Sequence, residues 1–507
     1  MGMKVAVIDV GFNSLKMVKY RVEPNGFTKA YGQLGVMARL GDGLDKTGFL
    51  EKEPISRTID AIRQCHEAAT VDSIKHVLLV GTSPVREAAN REEFLRLVEE
   101  ETGLKMRLLS GNEEALYGFL GAAGSVHAPT SLFFDLGGGS MQLTYVERSR
   151  VRKILSLPLG ALRLSSAFAG EEGRFSRKGR EKMAKRISQI LPSRRELGLD
   201  EDAILVGTGG TVRAMARYAQ EATDYPIDKI HNYVIGYDLI QQMSREFFRL
   251  NRDELGRIDA IGEDRAGTIA AGGLVVRLVM KRLGFTNFTV STHGLRDGLL
   301  AEFLERGVRT SLGIAQLEEL ESVAPREETT PRGAGARELA ECLARNGIID
   351  GRQVSVLSTA VERGRAQDSL EANPSSLFGI LMSEDLPMSH EDQLFMVVSL
   401  VKARRPRTAN WLVERYGAML TREDLKSVKK MGAALRLMEI LHRSGAHVRV
   451  TYSGGLRISI VEGESPFPLE LAKSAARGLS ASIKRSVDIF VSTKEVGRQA
   501  ESLRAGD

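Results

Sequence analysis

Cysteine is nearly absent. The 507 residues hold only Cys65 and Cys342, far apart and without a Cys-x-x-Cys spacing. That excludes a disulfide framework and a thiolate zinc site. No apolar run reaches the roughly 18 residues needed to span a bilayer. The opening "MGMKVAVIDVG" goes straight into a strand pattern, with no basic segment leading into an apolar core and a cleavage site. A cytoplasmic protein with no membrane partner is therefore expected. A strong charge of one sign is also missing, since 71 Lys and Arg face 65 Asp and Glu for a net +6. This permits a polyanionic partner without demanding one, and calls for no specific nucleic acid. What remains is ordinary for a globular protein, at 42% hydrophobic and 27% charged residues, with length for about three domains.

Two hairpins share one grammar. Residues 4–22, "KVAVIDVGFNSLKMVKYRV", and 131–147, "SLFFDLGGGSMQLTYVE", each read as strand, turn, strand. Each carries Asp-x-Gly at the end of its first strand, at Asp9 and Asp135, with a serine soon after. Further strands and helices follow each copy: a strand at 76–81 and another at 105–110 in the first, and "AILVGTGGTVRAMARY" and "NFTVSTHGLRDGLLAEFL" in the second. Strands alternating with helices predict an α/β fold built from a duplicated domain. The character changes near residue 305. "APREETTPRGAGARE" at 324–338 reads as a linker, and beyond it helix-periodic segments and a strand pair at 447–461, turning at Gly454-Gly455, predict a mainly helical domain. The expected boundaries are 1–125, 126–304 and 305–507.

The chemistry gathers at loops. Gly137, Gly138 and Gly139 lack Cβ atoms, so they allow unusual dihedrals and close ligand approach, and their N–H groups with Ser140 suit phosphate oxygens. Asp135 beside them is placed to hold Mg²⁺ or Mn²⁺. Asp9, Asn13 and Ser14 form the matching loop of the first copy. Gly209, Gly210 and Thr211 lie between a strand and a helix, where backbone N–H groups favour anions. Arg86 in "GTSPVREAAN" reads either as a phosphate clamp or as a surface residue on a first helical turn. Glu113 and Glu114 follow "SGN" at a helix start. Acids there ordinarily compensate the helix dipole, while the chemical alternative is a general base near phosphate. The basic runs at 148–153, 177–186, 402–407 and 426–430 read as solvated faces unless several line one groove.

Taken together, "DVGFNS", "GTSPVREAANREEF", "SGNEEA", "DLGGGSMQL", "GTGGT" and "HGLRDGLL" resemble the Ppx/GppA family of exopolyphosphatases and guanosine pentaphosphate phosphohydrolases, within the actin-like ATPase superfamily. The resemblance is densest over residues 4–304. It implies two ribonuclease-H-like domains with a cleft between them, followed by an HD-like helical domain, and a homodimer. By motif, Glu114 matches the family's catalytic base, Arg86 its phosphate-clamping arginine, and Asp135 its metal-linked aspartate. Asn13, Ser14, Gly137, Gly138, Gly139, Ser140, Gly209, Gly210 and Thr211 match its phosphate loops.

Three departures stand out. Phe12 replaces the family's serine, removing a hydroxyl and adding bulk. Met141 and Gln142 replace a Thr-Glu pair, removing a charge. No His-Asp dipeptide occurs anywhere, and "LMSEDLPMSHEDQ" stands where one is expected, so the C-terminal domain is expected to hold no metal. The resemblance implies Mg²⁺-dependent release of orthophosphate from polyphosphate. Its alternatives are pppGpp 5′-phosphohydrolysis at the same site, a sensor that binds without turnover, and a small-molecule kinase of the same superfamily.

Overall fold

The computed structural model describes residues 2–23, 28–170, 173–308, 334–363, 374–404, 406–444, 447–461 and 467–492; the linker stretch lies outside them up to residue 333. The chain divides into two compact units, 1–325 and 326–507.

The first unit is built on two mixed sheets. The strands of the first are β1 (Met3–Val10), β2 (Leu15–Val22), β3 (Thr28–Val36), β4 (His76–Gly81) and β5 (Arg107–Leu108), in the order β3-β2-β1-β4-β5. The second holds β6 (Ser131–Leu136), β7 (Met141–Glu147), β8 (Arg150–Leu157), β9 (Ile204–Thr208), β10 (Val234–Gly236) and β11 (Asn287–Val290), in the order β10-β11-β9-β6-β7-β8. From the outer antiparallel strand inward the sheets match: a β3-β2-β1 meander then parallel β4, against a β8-β7-β6 meander then parallel β9. The duplication seen in the hairpins therefore extends to topology. β1 and β6 are central, and Val5, Ala6, Val7, Ile8, Leu132 and Phe134 are fully buried. A strand covered on both faces needs a continuous apolar run, which is what these segments have.

The edges were harder to foresee. β3 carries two glycines and mostly exposed side chains, and β10 is three residues long. The strand expected over 105–110 shrinks to Arg107–Leu108, because Ser110 already serves as the N-cap of the next helix. The basic run at 148–153 makes the turn before β8 and the strand's start, whose first four residues are exposed.

Two helices join the sheets. Gly111–Ala123 leads from β5 toward β6, and Leu295–Val308 packs Leu295, Leu299 and Leu300 against Val5, Val7 and Tyr20 of the first sheet. They cross at glycines: a Cβ on Gly121 would lie 2.0 Å from the Gly294 oxygen, and one on Gly298 would lie 2.0 Å from the Tyr117 oxygen. Arg107 ties the pair from the side, donating to Glu113 at 2.7 Å and Glu302 at 2.8 Å, while the Tyr117 hydroxyl donates to Glu302.

The second unit is mainly helical, with one small sheet of β12 (His447–Tyr452), β13 (Leu456–Val461) and β14 (Val487–Ser492). Gly454, in the left-handed region at φ 71°, makes the expected β12–β13 turn. In this unit Arg352 pairs with both Asp392 and Asp424, so the acid of the "HED" segment already faces a guanidinium.

The glycine crossing sets a prediction. Gly298→Ala should cost about 1–3 kcal/mol in denaturant unfolding, because the added methyl meets backbone that cannot turn aside. Gly284→Ala, at a helix end with open space around it but at φ 74°, should cost less.

Candidate active site

Both central strands deliver a carboxylate to one cleft. Asp9 stands opposite Lys16 across the first hairpin, and Asp135 stands opposite Gln142 across the second. The loops beyond them close in the same way, with Gly11 N donating to Ser14 O at 3.1 Å and Gly137 N to Ser140 O at 3.0 Å. A third loop follows β9 and opens the helix Gly210–Ala222. Its Gly209 has φ 107°, and a Cβ there would lie 2.5 Å from the Leu136 oxygen and 2.9 Å from Asp135 Oδ1. Only glycine fits that position.

The triple glycine works differently from the expectation. None of Gly137, Gly138 and Gly139 has a positive φ. Their bareness serves close approach instead: a Cβ on Gly138 would lie 3.2 Å from Asn13, and one on Gly139 would lie 2.3 Å from the Phe12 ring. The first and second loops are thus packed face to face.

Asp9, Asn13, Ser14, Glu114, Asp135, Gly137, Gly138, Gly139, Ser140, Gly209 and Gly210 all line one cavity. Two residues singled out from the sequence do not. Thr211 is buried against Gly272, where its methyl leaves no room for a Cβ. Arg86 stands behind the cavity wall, donating to Glu114 Oε2 at 3.1 Å and to the Leu109 oxygen at 2.8 Å. The adjacent acids divide their work. Glu113 completes a capping box with Ser110 and pairs with Arg107, while Glu114 faces the cleft. Gln142 is buried and donates to Ser140 Oγ at 2.8 Å.

Sequence reasoning missed the cations. Lys16, Arg213, Arg265 and Arg296 line the same cavity. Arg296 donates to Asp9 Oδ2 at 3.2 Å, Arg213 donates to the Thr292 oxygen at 3.0 Å, and Arg265 lies so close over Gly210 that a Cβ there would meet its guanidinium at 2.3 Å. Arg296 lies within "HGLRDGLL", and Lys16 two positions past Ser14, but nothing local marks either as facing the cleft. These four, with Ser14 and Gly210, also line a second cavity of about 750 Å³ that adds Arg217 and the β2–β3 strands. None of the four basic runs contributes to either cavity.

Burial dominates the electrostatics. It raises the Glu114 carboxyl to about 7 against the pull of Arg86, with Asp9 and Asp135 adding to the rise. It raises Asp9 against Arg296, and Asp135 against Arg213. It lowers Lys16 to about 7, with repulsion from Arg213, Arg265 and Arg296 in the same direction. Arg213 falls to about 10 through burial and the nearby Arg296. Like charges gathered in a dry cleft are strained until a partner of opposite charge arrives. Asp135 has no hydrogen-bond partner among the described residues, and Asp9 spends one oxygen on Arg296. Cleft-facing carboxylate oxygens of this kind fit a hard divalent cation such as Mg²⁺ or Mn²⁺.

A model of the Ppx/GppA phosphatase family matches residues 24–307. Exopolyphosphatase 2 of Mycobacterium tuberculosis is 29% identical over 316 residues, which cover 58% of this chain and 97% of that protein. The crystal structure of the Aquifex aeolicus Ppx/GppA family member is 26% identical with a TM-score of 0.51, covering 61% of this chain and 99% of its own. An exopolyphosphatase structure from Cytophaga hutchinsonii has the same fold at 22% identity and a TM-score of 0.56, covering 61% of this chain and 100% of its own.

The raised Glu114 carboxyl has a consequence for stability. Its folded-state value of about 7 lies above the ordinary 4.5, so its contribution is fully present below 4.5 and is lost as pH rises to about 7. Without divalent metal, Glu114→Gln should unfold at higher denaturant than the wild type at pH 8, by about 1–3 kcal/mol, and the gap should close at pH 4.5. Equal pH dependence in the two proteins would contradict the burial described here.

Proposed function

Because the chain belongs to the Ppx/GppA phosphatase family, we propose that it is an exopolyphosphatase, a hydrolase that releases orthophosphate from the end of inorganic polyphosphate. The observation that carries this reading is a largely enclosed carboxylate, Glu114, facing a cavity that glycine-loop backbone, two aspartates and four cations also line. Glycine loops and cations bind phosphate without binding a base or a sugar. Glu114 supplies what a binding site alone does not need, a proton acceptor with a pKa near 7.

In the proposed reaction the terminal phosphate sits against Gly137–Ser140, Asn13, Ser14 and Gly209–Gly210. Water attacks its phosphorus in line, Glu114 takes the water proton, and the phosphoanhydride bond breaks, leaving a chain shorter by one unit. Arg86 touches Glu114 rather than the cavity, so its part is to hold that carboxylate in place. Gln142 donates to Ser140 Oγ, which leaves the serine hydroxyl free to donate to a phosphate oxygen. Asp135, with Asp9, would hold Mg²⁺ or Mn²⁺, which supplies positive charge to the phosphoryl oxygens. Lys16, Arg213, Arg265 and Arg296 carry the penultimate phosphates and stabilise charge through the transfer.

pppGpp 5′-phosphohydrolysis would use the same groups, since they meet only a terminal phosphate. The adjoining 750 Å³ cavity, where Lys16, Arg213, Arg217, Arg265 and Arg296 outnumber Asp264 and Asp297, favours a longer polyanion. The readings of residues 1–125 and 126–304 as the two actin-like domains, of 305–507 as a degenerate HD-like domain, of a homodimer and of a cytoplasmic location belong to the same proposal.

The test is orthophosphate release from long-chain polyphosphate with Mg²⁺. Glu114→Gln should lower kcat by about 10² or more. Arg217→Met, confined to the second cavity, should raise KM for long chains several-fold and leave tripolyphosphate nearly unchanged. Release from pppGpp alone would favour the nucleotide reading, tight binding without release the sensor, and transfer from ATP to a small acceptor the kinase.

A further inference from the structure

The short helix Ala161–Phe168 follows β8 and belongs to the second sheet's side of the cleft. The first amides of a helix have no partner within it. Here they find partners in the triple-glycine loop: Ala161 N donates to Gly137 O at 3.0 Å, and Leu162 N and Arg163 N donate to Gly138 O at 2.9 and 3.0 Å. Gly160 N adds a bond to Gly139 O at 3.3 Å. The approach is so close that a Cβ on Gly160 would lie 2.2 Å from Gly138 O. In a planar trans peptide the C=O and N–H point opposite ways. Carbonyls turned toward the helix therefore turn the amides of Gly138, Gly139 and Ser140 toward the cavity they line.

The same helix start is anchored across the cleft. Leu162 belongs to the core of the first sheet, with Phe12, Leu40, Leu44 and Val85. Arg163 reaches Glu87 at 2.5 Å and Asp45 at 3.3 Å, both on helices of the first sheet's side. Its guanidinium carbon lies 5.3 Å from the centre of the Phe12 ring. Phe12 in turn lies flat enough on Gly41 and Gly139 that a Cβ on either would meet the ring at 2.3 Å. The bulk that replaces a serine in the first loop is thus the surface on which Arg163 rests.

We propose that Arg163 is a positioning residue, a latch that holds the two sides of the cleft closed and so keeps the amides of Gly138, Gly139 and Ser140 aimed at the phosphate. The two crossing helices join the lobes, and Arg163 with Leu162 makes a further tie between them. Asp45 and Glu87 are both partly exposed, which makes each ion pair weak. A weak latch suits a cleft that must also open. Its role in turnover rests on the phosphatase reading; its role in closure does not.

The experiment compares wild type, Arg163→Met, Arg163→Lys and the double variant Asp45→Asn/Glu87→Gln, which leaves Arg163 in place. Amide hydrogen exchange of Gly137 and of residues 160–163, whose N–H groups are hydrogen-bonded at the loop, reads the latch without any turnover. Exchange there should speed up about tenfold in Arg163→Met and in the double variant, with residues 204–208 unchanged, and Arg163→Lys should fall between. If the closed fraction drops about tenfold, the apparent affinity drops by the same factor. KM for polyphosphate should therefore rise about tenfold with kcat changed less than threefold, and the lysine variant should recover part of it. Unchanged exchange and KM in the double variant would overturn the proposal, even if Arg163→Met fails to fold. Faster local exchange in a protein that releases no phosphate would sustain the latch and sink the polyphosphatase reading.

Discussion

Three carboxylates, Asp9, Glu114 and Asp135, share one cleft with Lys16, Arg213, Arg265 and Arg296. Keeping that many charges out of water is costly unless each has a counter-charge nearby. Arg296 serves Asp9, Arg86 serves Glu114, and Arg213 acts on Asp135 through space. The compensation is incomplete, because both Glu114 and Lys16 are pushed toward neutrality. A phosphate chain brings the negative charge the cations lack, and a divalent ion brings the positive charge the carboxylates lack. The cleft is best satisfied when both are present, which is the physical reason to expect them together.

Duplication supplies the frame for this arrangement. Two copies of one meander place Asp9 and Asp135 at equivalent strand ends, and the same closing hydrogen bond shapes both loops. The copies are not equivalent chemically. Lys16 occupies in the first hairpin the register position that Gln142 occupies in the second. One hairpin therefore brings a cation to the cavity, and the other a neutral donor to Ser140. Glu114 comes from neither hairpin but from the helix that joins the sheets, so its distance to the glycine loop depends on how the two sides close.

The central strands were legible because burial on both faces forces a continuous apolar run, as in "VAVIDV" and "SLFFDL". The edge strands β3 and β10 were not, since exposed side chains and glycines carry no period. The glycine loops that line the cavity were legible from their spacing, although the reason for the triple glycine was close packing on Phe12 and Asn13 rather than dihedral freedom. Spacing and composition do not tell Glu113 from Glu114, and only the family motif singles out Glu114. Adjacent helical residues face different ways, so one caps the helix while the other enters the cleft. The cations were illegible for a simpler reason. Among 71 lysines and arginines, Lys16, Arg213, Arg265 and Arg296 stand out by lining one cavity together, and that is a property of the tertiary fold.

The two loop departures, Phe12 and Gln142, need not weaken the site. A serine at position 12 would give one more hydroxyl near phosphate, but a hydroxyl presents no face for Arg163. Phe12 gives up that donor and fills the space between Gly41, Gly139 and the guanidinium, so what is lost in contact is returned as closure. A glutamate at position 142 would accept from Ser140 and add a fourth carboxylate beside Asp9, Glu114 and Asp135. Gln142 donates instead, which reverses the direction of the serine hydroxyl and lowers the negative charge facing an anionic substrate. Only the glutamine alters the charge of the cleft, and Phe12 exchanges a hydroxyl for packing. The four cations that line the same cavity supply positive charge that an entering anion would meet.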